Sequence, residues 1–220
     1  MEAERKENRF FRILQNSFWK LTWLNLLYLV CCLPVITVGP ATAAMVYVLQ
    51  EIEGERITFV FRDFLEGMKK NWRQALPVGL LHTGAMVMDG CAVWYYVAWL
   101  MQRQDAAVPM AAALVIAVIL GVILLISGPY LYLQIVNCQL SSAAIAKNAV
   151  LLALIELRSS FLVLAGNGAF LLLLLSPTLF ISVYFYPISL ILLALWGGTI
   201  PYLFAVYRLR RYVMNRCISA

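Results

Sequence analysis

Asp89 is the side chain best placed to do chemistry, because it stands near the middle of the apolar stretch Ala75 to Leu100. A carboxylate at membrane depth is costly and is by default a proton or substrate site. His82, the only histidine, lies seven residues earlier. Two helical turns put both side chains on one face, about 10 Å apart along the axis. That separation forbids direct contact but suits a water-linked relay, or two contacts to one ligand. The competing assignment is structural: Asp89 is neutral, or bonds across helices to Asn25 or Asn167. Buried amides such as these, with Gln134 and Asn137, commonly tie helices together.

No G-x-x-x-x-G-K-[ST], H-E-x-x-H or G-x-S-x-G pattern occurs, so nucleotide coupling and hydrolytic chemistry have no support and no catalytic residue is assigned. The five cysteines, Cys31, Cys32, Cys91, Cys138 and Cys217, show no metal spacing, and neither a metal nor a cofactor is expected. They read as reduced, small apolar side chains.

The elements that hold these residues are membrane helices. The 220 residues are 63% hydrophobic and 13% charged, with mean hydropathy +0.84, and apolar runs long enough to cross a bilayer recur. The expected fold is an all-α, polytopic transmembrane bundle of about five long spans, with a short return or re-entrant helix after the first. It forms one integral membrane domain over residues 1–220. Within it lie an interfacial segment at 1–19, the first span and return helix at 20–52, an amphipathic helix at 53–74, the remaining spans at 75–206 and a basic tail at 207–220. The net charge of +6 is spread between apolar runs rather than along one face, which excludes nucleic acid and points to the bilayer.

The first span is interrupted by Leu33-Pro34-Val35-Ile36-Thr37-Val38-Gly39-Pro40-Ala41-Thr42. Pro34 should end the helix by disfavouring helical geometry at Leu33, and the β-branched residues after it favour an extended path. Gly39 permits a turn and Pro40 suits a new helix start. Two readings compete: a broken helix that offers backbone groups to a ligand, or a tight hairpin whose small residues allow close packing. Gly128-Pro129 and the stretch Gly198 to Pro201 are expected to break two later spans. Tyrosines follow each break, as a degenerate repeat would place them.

Phe61, Phe64, Leu65, Met68 and Trp72 recur at three- and four-residue steps, which makes 53–74 amphipathic. Its cations Arg62, Lys69, Lys70 and Arg73 either dock a partner or rest on lipid headgroups. Five Lys and Arg fall in 1–20, five in 50–74, two in 137–160 and four in 207–220, against one in the loop 101–108 and none in 184–187. The positive-inside rule then places both termini in the cytoplasm.

Asn25-Leu26-Leu27, the block Leu33 to Ala44, Phe61-Arg62-Asp63-Phe64, Lys70-Asn71-Trp72-Arg73-Gln74-Ala75 and the weaker late match Pro201 with Tyr207-Arg208-Leu209-Arg210-Arg211 resemble the YesL-like family of bacterial integral membrane proteins (domain of unknown function 624). The family has no established activity, and its members lie near genes for carbohydrate uptake, sensing and degradation. The resemblance implies an accessory or scaffold component in the plasma membrane, with an ABC-type sugar permease or a membrane sensor kinase as partner. The alternative is a small transporter built around Asp89 and His82, alone or as a homo-oligomer. A lipid-modifying enzyme stands a distant third.

Overall fold

The structure, a computed structural model, describes residues 2–102, 107–138, 140–176 and 186–218. Every regular element among them is helical. In order these are α1 (Glu2–Asn16), α2 (Phe18–Cys32), a 3-10 turn (Val35–Thr37), α3 (Val38–Glu53), α4 (Val60–Gln102) and α5 (Ala107–Asn137). There follow α6 (Ser142–Ile155), α7 (Leu157–Ser176), α8 (Tyr186–Trp196) and α9 (Thr199–Ile218). Four helical stretches are long and apolar enough to cross a membrane, or five if α8 and α9, bent by 41°, count as one span. The expected all-α bundle of about five spans is the fold. Of the short loops placed at 101–108 and 184–187, residues 103–106 and 184–185 lie outside the described residues, and the described remainder is helical.

α4 sets the frame. Its 43 residues make a helix of about 64 Å, roughly twice a bilayer's hydrocarbon thickness. The sequence reading divided it at residue 74 into an amphipathic helix and a separate span; the structure has one helix. Phe64, Gly67, Asn71, Ala75 and Val78 carry a single buried stripe across that boundary, so no change of face or turn residue interrupts it. Pro77 lies inside α4 and removes one hydrogen-bond donor without ending it.

The first half of α4 lies antiparallel to α3, with Tyr47 packed over Gly67 and Gly39 against Gly79. The second half pairs with α5, also antiparallel, so that Asp89 meets Gly121 and His82 meets Gly128. α3 is the most enclosed element: Ala41, Ala43, Ala44, Met45, Val46, Val48 and Leu49 are fully buried. Lipid tails are as apolar as these side chains, so close approach over small residues, rather than exclusion of water, holds such helices together.

α1 does more than lie on a surface. Ile13 is buried, Phe10 packs on Phe204 and Tyr207 of α9, and Arg9 and Arg12 reach Glu53 and Glu55 at the end of α3. Arg210 joins the same Glu53 at 2.6 Å. The α2–α3 hairpin therefore returns to the end of the bundle from which it started, where α1 and the basic part of α9 also sit. Cys31, Cys32 and Cys91 are free thiols. Cys138 is disulfide-bonded, against the expectation of five reduced cysteines, and nothing in sequence spacing signals it.

Candidate functional site

The interrupted stretch between α2 and α3 is a closed hairpin tip. Leu33 keeps helical geometry and the chain turns extended only at Pro34, with φ −78° and ψ 116°. Val35 to Thr37 then form a 3-10 turn rather than the extended path expected of their β-branching, because Thr37 anchors it. The Thr37 hydroxyl lies 2.5 Å from the Cys31 carbonyl, an acceptor that the end of α2 leaves over, while the Thr37 N–H donates to the Pro34 carbonyl at 2.9 Å. α3 starts at Val38, two residues before Pro40.

Gly39 is the close-approach point. A Cβ there would stand 2.9 Å from Gly79 Cα and closer still to the Ala75 carbonyl oxygen. One turn on, Thr42 donates to the Val38 carbonyl at 2.7 Å and meets the Tyr28 hydroxyl at 3.4 Å. Tyr132 reaches the same threonine, and its ring lies edge-on to Tyr202 at 6.4 Å. The glycine, the threonines and these tyrosines thus join α2, α3, α4, α5 and α9 beneath the tip.

Asn25 is fully buried and does not approach Asp89. Its amide donates to the Ala194 carbonyl at 2.6 Å, and its oxygen accepts the N–H groups of Gly198 and Thr199 at 3.1 and 3.0 Å. One side chain of α2 therefore serves both the end of α8 and the start of α9. Trp196 adds a bond from its indole to Thr22 at 3.0 Å. The break here is the turn at Gly197 and Gly198, and Pro201 falls in the first turn of α9. At Gly128-Pro129 the expected break is absent: Pro129 sits within a continuous α5. Loss of one donor is tolerated where the helix is packed on neighbours.

Asp89 and His82 do share a face of α4, and both point at glycines of α5. The Asp89 carboxylate lies 2.5 Å from where a Gly121 Cβ would be, and His82 Nε2 lies 3.2 Å from that of Gly128. The glycines recur at the same seven-residue interval as the polar pair, so each polar group has a notch. Bonds from Asp89 to Asn25 or Asn167 do not form; among the described residues no hydrogen bond or ion pair reaches the carboxylate. Asn167 is elsewhere, beside Phe10, Phe170 and Pro201 in a crevice of about 170 Å³. Its Oδ1 is buried without a partner among the described residues.

The cations of α4 form a different surface. Arg62, Lys69 and Lys70 line one open hollow of about 670 Å³ with Phe61, Leu65 and Glu66, while Arg73 is exposed beyond its edge. Asp63 fixes the helix start by accepting the Phe59 N–H at 2.8 Å and holds Arg62 at 3.2 Å. Arg62 lies over the Phe59 ring and Lys70 over Tyr47, at 4.8 and 5.6 Å. No group of three or more potential metal ligands occurs among the described residues.

Sequence reasoning missed Gly79, Tyr28 and the role of Gly121, and marked Tyr132 only as a tyrosine that follows a break. For the glycines the available signal was their spacing from small or polar residues on a partner helix, which has meaning only once register is known.

Residues 21–89 match the family model described as a protein of unknown function, DUF624. That segment covers α2, the tip, α3 and α4 as far as Asp89, less than half of the chain. No curated protein and no solved structure matches.

Proposed function

We propose that this chain is an accessory or scaffold protein of the bacterial plasma membrane, of the YesL-like type, serving carbohydrate uptake or sensing. Its partner is an ABC-type sugar permease or a membrane sensor kinase, docked on the cationic face of α4. The observation that carries the reading is the open hollow of Arg62, Lys69 and Lys70, with Glu66 in its wall and Asp63 holding Arg62. It lies on a helix that runs without interruption into the spans, so a partner engaged there is held rigidly at the membrane. The polar devices a transporter would need are already engaged: Gly39 in a helix crossing, Thr37 in closing the tip, and Asn25 in joining α8 to α9.

Both termini face the cytoplasm in this reading, since α1, the end of α3 and the arginines of α9 share one end of the bundle. Charge reversal at Arg62, Lys69 and Arg73 should abolish copurification of the permease or kinase from mild detergent, with the unfolding midpoint unchanged. Retention of the partner at full stoichiometry would refute the docking face. The alternative, a small transporter, draws on one fact: Asp89 stands mid-span without a described partner.

A further inference from the structure

Between the α4–α5 pair and α6 lies a half-open crevice of about 440 Å³. Sites for small ligands commonly measure ~300–1,000 Å³ and are mostly apolar with a few placed polar groups. Leu81 and His82 from α4, Leu124 and Ser127 from α5, and Ala143 and Ala146 from α6 contribute to its walls. The alanines of α6 leave the width. Pro77 also lines the crevice, and its ring offers no N–H to the Arg73 carbonyl one turn earlier.

The polar side chains of the crevice are Ser127, Ser142 and His82, and Ser142 is exposed to the surroundings. Ser127 is committed, donating to the Leu124 carbonyl at 3.0 Å. His82 is not. It is half-buried, set edge-on to Tyr132 at 6.5 Å, and no hydrogen bond from a described residue reaches either ring nitrogen. Such walls reject a carbohydrate, because each hydroxyl stripped of water without a replacement costs about 1–3 kcal/mol. They suit an unbranched apolar chain that carries one hydrogen-bonding group. Two of its walls, α4 and α5, are helices long and apolar enough to cross a membrane, where acyl chains are the surrounding solvent.

We propose that this crevice binds a single fatty-acyl chain, laid along Leu81, Leu124 and Ala146, with its carbonyl or carboxyl oxygen accepting a hydrogen bond from His82. The chain comes either from a free fatty acid or from one tail of a phospholipid. The site is independent of the docking face on α4 and stands or falls separately.

The test is photolabelling of the full-length protein in phosphatidylcholine nanodiscs, with cross-links mapped by peptide mass spectrometry. One arm carries a diazirine-bearing palmitic acid, the other a phosphatidylcholine with the diazirine in one tail. Saturable labelling of residues 143–146 in the first arm, displaced by oleate, assigns a free fatty acid. Labelling there in the second arm alone assigns a bilayer lipid tail. Ala146→Phe and Ala143→Phe should each reduce the crevice label several-fold and leave labelling of exposed Met88 and Trp94 unchanged. His82→Leu should raise the saturating concentration several-fold and His82→Gln restore it. Unfolding midpoints report that each variant folds. Crevice labelling no greater than that at Met88, or indifferent to both phenylalanines in folded protein, overturns the proposal.

Discussion

Replacing Gly79 by alanine should force α3 and α4 apart where they cross. The new Cβ would stand 3.2 Å from the Gly39 nitrogen and closer still to its Cα, and both atoms are backbone. Gly39→Ala makes the reciprocal clash, at 2.9 Å from Gly79 Cα and 3.3 Å from the Ala75 carbonyl carbon. Carbon atoms rest at ~3.5–4.0 Å, so the axes must separate by about 1 Å, a gap that forfeits a quarter to a half of each contact's attraction. Fully buried Ala43, Val46 and Ala75 flank the crossing and lose contact with it. Overpacking of this kind costs ~1–3 kcal/mol, and with no side chain to give way we expect the upper part of that range. Gly84→Ala and Gly90→Ala are the controls, since a Cβ at either meets nothing within 4 Å and should change stability by under about 0.5 kcal/mol. SDS-driven unfolding from mixed micelles, followed by near-UV circular dichroism, measures all four. Helices persist in SDS, so the ~1 kcal/mol propensity difference between glycine and alanine largely cancels. The double variant should cost less than the two singles together, because one methyl already opens the crossing. Equal midpoints for Gly79→Ala and Gly84→Ala would refute the close-approach argument.

Asn25→Ala strands the Gly198 and Thr199 amides and the Ala194 carbonyl, at ~1–3 kcal/mol for each group left unsatisfied. Its SDS midpoint should fall, and amide exchange at residues 197–199 should rise before global unfolding. Asn25→Asp keeps the acceptor and should protect those amides better than alanine does; equal exchange in both would refute the clasp. Asp89→Asn replaces a carboxyl group with no described partner, so it should lower neither stability nor partner copurification. Loss of solute uptake in proteoliposomes from that substitution alone would instead favour the transporter.

Some of this molecule is written in local chemistry. Apolar run lengths specify a helical membrane-type bundle, since lipid leaves the backbone no other partners. Pro34 and Gly39 announce the hairpin, because a missing donor and a missing Cβ act within a few residues of themselves. The same reasoning misjudged Pro129 and divided α4 at residue 74. A proline's local effect does not decide whether a packed helix continues, and the buried stripe from Phe64 to Val78 is recognisable only against α3. Asp89 and His82 stand on one face by helical periodicity alone. That each faces a glycine of α5 depends on antiparallel register, a property of two helices at once. Asn25 is the clearest case. Its type and depth foretell a bond across helices, but its partners lie about 170 residues away and exist only because α8 and α9 turn beside α2. The sequence alone determined which stretches are long and apolar enough to cross a membrane and which polar groups within them need partners. Which partner each one finds was decided by tertiary packing, because helices in lipid choose neighbours by shape over distances no local pattern records.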